Sequence, residues 1–201
     1  MKKKLLLVIG LAVILAGCNI VKTYQNLTRL QFKVGKIENV KVSNISVSNK
    51  SKLSDFNPLD ILSLTSKVAK GEFPVSMTVN IDAKNPSEGQ GGGVSDNTIT
   101  LKSFPWKLYI DDVETISGNI SQPIYVPSKG ENVIIPIEVS IDLMKFFKQQ
   151  GLDKMVNLVL ALGGSNKSSS KVKFVVRPTI GTPIGDFRYP NDITIVDYKF
   201  N

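Results

Sequence analysis

The sequence predicts a mainly β protein: an antiparallel β-sandwich carrying two or three short helices, following a cleaved N-terminal signal peptide. Three observations carry that expectation. Apolar and polar residues alternate with period two over long stretches, the strands so marked are short and separated by Pro, Gly and Asn, and the first 17 residues read as a targeting segment. A length of 201 residues suits one domain.

Lys2, Lys3 and Lys4 form a positive cluster, and Leu5 to Leu15 an uncharged apolar run of 11 residues. Spanning a bilayer takes about 20 such residues, so the run is a signal segment rather than a stable transmembrane helix. It ends in Leu15-Ala16-Gly17-Cys18, which resembles the lipobox of bacterial lipoprotein signal peptides. The resemblance implies that signal peptidase recognises Leu15, Ala16 and Gly17. It further implies that the Cys18 thiol receives diacylglycerol, that the chain is cut before Cys18, and that the new amino terminus is often acylated. One acyl chain gives reversible attachment at about 0.8 kcal/mol per buried methylene, so two or three chains would hold the domain on a membrane. Asn19, in place of an Asp after the Cys, implies export to the outer membrane. Residues 19–23 carry no acidic cluster, which implies the periplasmic side. The expected organisation is a signal peptide over residues 1–17, a lipidated Cys and tether over 18–29, and a sandwich domain over 30–201.

The strand pattern begins with Val40 and Val42 in one phase and Ile45 and Val47 in the other, so a bulge or bend is expected at Ser43-Asn44. Residues 73–83 alternate with Phe73, Val75, Met77, Val79, Ile81 and Ala83 on one face. Residues 133–143 repeat the pattern with Val133, Ile135, Ile137, Val139 and Ile141, and Pro136 marks that strand for a sheet edge or a bulge. Shorter strands are expected at 98–102, 106–110, 113–117, 172–177 and 193–196, with Asp111-Asp112 as a hairpin turn. Asn57-Pro58 opens a helix ending before Gly71. Asp142 caps a short helix with Leu143, Phe146 and Phe147, ended by Gly151. Residues 152–162 form a helix apolar over much of its circumference and therefore buried, stopped by Gly163-Gly164. Loops are expected at 87–97, 165–170 and 178–190.

In order, these elements resemble the late embryogenesis abundant type 2 domain, also called the water-stress and hypersensitive response domain. The resemblance rests on the strand ending in Ala83, the Asn85-Pro86 turn, Leu108-Tyr109-Ile110-Asp111, and Ile135-Pro136-Ile137-Glu138-Val139. It extends to the lipid-anchored versions common in Bacteroidota. It implies an immunoglobulin-like or fibronectin type III-like sandwich over residues 30–201. The glycine-rich insertion after Asn85-Pro86 and the apolar helix at 152–162 depart from the family pattern.

Composition excludes much chemistry. One Cys forbids a disulfide framework or a multi-thiolate metal site, and the absence of His removes the commonest general base and metal ligand. Ser168 and Lys171 have serine–lysine spacing, but a Ser/Asn/Lys-rich turn keeps the amine charged. Gly91-Gly92-Gly93 precedes a strand rather than a helix N-terminus, which makes it a hairpin loop rather than a phosphate cradle. Asp111, Asp112 and Glu114 match no helix-loop-helix calcium site. Trp106, the single Trp, is expected in the core, and Tyr24, Tyr125, Tyr189 and Tyr198 are ordinary exposed tyrosines. No catalytic residues, metal or cofactor are expected.

Removing Lys2, Lys3 and Lys4 leaves 22 basic against 17 acidic residues, scattered along the chain. Nucleic acid is therefore not an expected partner. The expected function is a non-catalytic, lipid-anchored binding or scaffolding module with an envelope protein partner. The alternative is a carrier of an acyl chain or lipid in a hydrophobic groove walled by Leu143, Phe146, Phe147, Met155 and Val159. Replacing Cys18 by Ser is expected to abolish incorporation of labelled palmitate and to move the protein from the membrane to the soluble fraction. Retained membrane attachment would contradict the anchor.

Overall fold

The computed structural model describes residues 30–86, 98–127, 131–147, 151–164, 170–182 and 185–199. Its strands, in chain order, are β1 (Gln31–Val42), β2 (Ile45–Ser46), β3 (Pro74–Lys84), β4 (Ile99–Ser103), β5 (Trp106–Ile110) and β6 (Val113–Gly118). They continue with β7 (Ile124–Val126), β8 (Asn132–Asp142), β9 (Lys171–Val176), β10 (Thr179–Thr182), β11 (Gly185–Arg188) and β12 (Ile193–Lys199). Two α-helices interrupt them, α1 (Pro58–Ala69) and α2 (Leu152–Leu162).

The first sheet has the order β2-β1-β3-β8. The other two, β11-β10-β4-β7 and β12-β9-β5-β6, run end to end. β4 leads into β5 across Phe104-Pro105, and β9 leads into β10 across Arg177-Pro178. The pairing holds on both sides of these breaks, with Trp106 opposite Val176 and Ser103 opposite Thr179. The chain is thus an antiparallel β-sandwich with a bent second face, as the alternation predicts. Proline explains the bend, because Pro105 and Pro178 have no N–H to give to a ladder. Arg177 N donates to Pro105 O at 2.9 Å, which stitches the two strands across the gap, and Tyr189 N donates to Pro178 O at 3.0 Å.

The alternation in the sequence places the core. Val75, Met77, Val79, Ile81 and Ala83 of β3 and Ile135, Ile137, Val139 and Ile141 of β8 are buried. Leu101, Trp106, Leu108, Ile110, Phe174 and Val176 of the bent face are buried with them. β3 and β8 pair without a break from Pro74 opposite Asp142 to Lys84 opposite Asn132. Pro136 lies in β8, the edge strand of its sheet, as its missing N–H requires.

Trp106 stacks on Phe174 with ring centroids 5.7 Å apart. The indole lies over Gly118, its cross-strand neighbour. A Cβ at that position would meet Trp106 Cζ2 at 2.5 Å, so only glycine leaves room for the ring.

Both helices gather at the end of the sandwich remote from Leu30. β1 runs away from Leu30, α1 joins the far end of β1 to the start of β3, and α2 joins the end of β8 to the start of β9. Asn57 caps α1 by accepting from Asp60 N at 2.7 Å, and Pro58 occupies the first turn, where its missing N–H costs nothing. Leu64 is fully buried, whereas Leu59 and Leu62 are 77% and 67% exposed. α2 buries Met155, Val156, Leu158, Val159, Leu160, Ala161 and Leu162. Burial of each large side chain contributes about 1.5–3 kcal/mol, far more than helix propensity.

Three expectations are corrected. Ser43-Asn44 is neither bulge nor bend but the turn of a tight hairpin, with φ of 48° and 68° and Val42 opposite Ile45. Asn tolerates the left-handed region, and Ser43 N is held by donating to Pro74 O at 2.8 Å. The bulges lie earlier in β1, between Val34 and Ile37 and between Glu38 and Lys41. Each adds one residue, which keeps Val34, Ile37, Val40 and Val42 on the core side. The segment after Asp142 is a single 3-10 turn, Leu143–Lys145, rather than a helix. Asp142 Oδ1 caps that turn at Met144 N but also accepts from Phe73 N at 2.8 Å, while Leu143 N donates to Phe73 O, which ties the segment to the start of β3. Residues 178–190 hold the β10–β11 hairpin rather than a loop. β7, with only three residues, carries too little pattern to be read from the sequence.

Replacing Gly118 by Ala is expected to destabilise the domain by about 1–3 kcal/mol, because the rigid indole must shift. Denaturant unfolding followed by the fluorescence of Trp106 measures it; an unchanged midpoint would contradict the packing described.

Candidate functional site

The lipobox residues Leu15, Ala16, Gly17 and Cys18 lie outside the described residues, as do Gly91, Gly92, Gly93 and Ser168. The five residues of the expected groove are not lined up along an open channel. Leu143, Met155 and Val159 are buried in the core. Phe147 is half-buried and packs against the core, and Phe146 is 37% exposed. The space edged by Phe147, Lys154, Met155, Leu158 and Ser170 amounts to about 10 Å³. That volume holds about one water molecule.

The acidic hairpin tip is built from charge pairs. Asp111 and Asp112 adopt φ of 50° and 63°, the left-handed pair that a two-residue hairpin demands. Asp111 Oδ1 accepts from Lys171 N at 2.8 Å, and Asp112 lies 3.5 Å from Lys171 Nζ and 3.8 Å from Lys173 Nζ. Glu114 takes Lys107 Nζ at 2.8 Å and the Tyr109 hydroxyl at 3.2 Å. The Lys107 ammonium holds the Glu114 carboxyl below the ordinary Glu value, and Glu114 in turn raises Lys107. Lysines therefore surround the oxygens that a calcium ion would need, and the hairpin tip is a solvated charge ladder of little individual energy.

The recesses of the surface collect instead at the bend of the second face, on either side of Trp106. One, of about 360 Å³, is lined by Pro105, Lys107, Gly118, Val175, Arg177 and Arg188, with Asp192 at its rim. The other, of about 320 Å³, lies between the β6–β7 connection and β8, against Asn119, Gln122, Pro136 and Glu138. Asn119 shapes the wall of the second recess, where its Oδ1 accepts from Phe104 N at 2.6 Å and from Ile120 N at 2.9 Å.

Arg177 is fixed at the first recess by backbone carbonyls. Its Nε donates to Tyr189 O at 3.1 Å and its Nη2 donates to Pro190 O. Asp192 stands 3.9 Å from Nε. Tyr189 itself is 8% exposed, packs its ring edge-on to Phe187, and has its hydroxyl pKa pushed up to about 12 by burial. Sequence reasoning missed Arg177 and Arg188. The available signal was the pair of prolines 105 and 178, each interrupting a run that is otherwise strand-like.

No family model matches the chain, and no curated protein matches it. A solved structure described as a protein from Archaeoglobus fulgidus is similar over 83% of this chain and 98% of its own, at 10% identity and a TM-score of 0.37. At that level the likeness carries no argument about function.

A tyrosine kept neutral by burial contributes stability that is complete below its ordinary pKa of 10.0 and is lost as the pH climbs toward about 12. Denaturant unfolding across that interval is expected to show a smaller loss of stability for Tyr189→Phe than for the parent. Parallel slopes would contradict it.

Proposed function

We propose that this chain is a non-catalytic, lipid-anchored binding or scaffolding module of a bacterial cell envelope, attached through Cys18 to the outer membrane and facing the periplasm. The observation that carries the reading is the polarity of the domain. The tether joins at Leu30, at one end of the sandwich, while α1 with its exposed Leu59 and Leu62 stands at the opposite end. An anchor on Cys18 then leaves the helical end facing away from the lipid. Exposed apolar side chains three positions apart lie on one face of a helix and suit contact with a partner protein.

Packing supports this module over the carrier alternative. Sites for drug-sized ligands occupy about 300–1,000 Å³. The space beside Phe147 and Met155 is about 10 Å³. The core-facing residues of α2 are packed among β-strand residues rather than held apart around an empty channel.

Crosslinking in intact cells tests the reading. The parent protein is expected to form a reproducible adduct with one envelope protein, and the double variant Leu59→Glu/Leu62→Glu is expected to lose it while remaining folded and membrane-bound. No adduct with the parent, or an adduct unchanged in the variant, would overturn the docking role of α1. A lipid co-purifying in stoichiometric amount would favour the carrier instead.

A further inference from the structure

We propose that the recess at the bend of the second face is a binding site for a small oxyanion-bearing ligand, a carboxylate or a phosphate, gripped between Arg177 and Arg188. This proposal does not depend on the membrane anchor or on α1.

The argument begins with the guanidinium of Arg177. A guanidinium offers five N–H donors in a planar fork, arranged as two parallel pairs along two of its edges and one remaining N–H. In Arg177 the edge formed by Nε and Nη2 is occupied, because Nε donates to Tyr189 O and Nη2 to Pro190 O. The edge shared by Nη1 and Nη2 has no partner among the described residues, and it belongs to a side chain that lines a recess of about 360 Å³. Two backbone carbonyls orient the group without neutralising it. A donor pair fixed in advance loses little rotamer entropy when an oxyanion arrives.

Arg188 supplies a second charge. It lines the same recess, is exposed, and its side chain has no ion pair or hydrogen bond among the described residues, while its backbone pairs with Thr179 in the β10–β11 ladder. Lys107, also on the wall, is already engaged by Glu114 at 2.8 Å, and the opposing Asp192 sits 3.9 Å from Arg177 Nε, 55% exposed. With Lys107 paired to Glu114 and Arg177 facing Asp192, three cationic side chains stand against two carboxylates, and Arg188 is the cation of the rim with no carboxylate partner among the described residues. The floor is Pro105, Val175 and Gly118, apolar or lacking a side chain, so a ligand with a compact apolar body behind its anionic head fits both surfaces. Charge-assisted forks of this kind are shorter and stronger than neutral hydrogen bonds.

Equilibrium dialysis of the full-length protein in a non-ionic detergent tests the site. Radiolabelled inorganic phosphate and acetate are separate probes, both at fixed ionic strength. Expected is saturable binding of one of them, about one per chain at millimolar concentration, weakened at least about tenfold in Arg188→Gln. The Arg188 side chain has no polar partner among the described residues and Gln keeps the backbone pairing with Thr179, so this variant is expected to fold as the parent does, with an unchanged unfolding midpoint as the check. Glycerol phosphate as a third probe separates a lipid headgroup from free phosphate: tighter binding than inorganic phosphate assigns a headgroup, and equal or weaker binding assigns a free anion. Saturation by none of the probes, or an affinity unchanged in Arg188→Gln, would overturn the proposal.

Discussion

Two prolines set opposite one another govern the shape of the second face. Pro105 and Pro178 interrupt neighbouring strands at the same height, where neither can donate a ladder bond. The sheet bends there; the bond from Arg177 N to Pro105 O holds the two interrupted strands together across the break, and that from Tyr189 N to Pro178 O ties in the chain that follows β11. Everything unusual about this face follows from that line. Trp106 enters the core just after the bend and needs Gly118 beneath its ring. Asn119 closes the gap, its side-chain oxygen accepting from Phe104 N. Arg177 turns its fork onto the carbonyls of the following turn, and the recess forms where a flat sheet would present none.

The first face follows a different rule. β3 and β8 pair over their whole length, and β1 keeps its apolar side chains inward only by adding a residue twice. Among the described residues only its last two find a further partner, in β2, so much of β1 stands at the edge of the described sheet. Lys33, Lys36 and Glu38 along it, with the bulges, are the features that discourage pairing with another chain. α2 then seals the end of the sandwich distant from Leu30, its Gly163 close against Val47. The same close packing that makes this end stable leaves room there for about one water.

Most of the fold was legible because a half-buried strand writes its face into every second residue. β3, β5, β8 and β9 follow from that rule within a residue or two of their ends, as does the capped start of α1 at Asn57-Pro58. The errors share a cause. The hairpin at Ser43-Asn44, the 3-10 turn after Asp142 and the strands between Pro178 and Tyr189 depend on bonds to distant residues, Pro74, Phe73 and the β4 strand, that no local pattern records. The candidate site was less legible still. Arg177 and Arg188 are ordinary surface cations in the sequence, separated by a Pro/Gly-rich stretch that reads as a loop.

Taken alone, the sequence determined the β class, the inward faces of the long strands, the buried character of residues 152–162 and the exclusion of histidine or multi-cysteine chemistry, because each is a matter of residue type or local period. Tertiary structure alone decided that Asp111, Asp112 and Glu114 meet lysines, that the space beside α2 is filled, and that two arginines share one recess at a bend. Those are properties of where strands cross, and the crossing is set by long-range pairing that the period of a single strand does not encode.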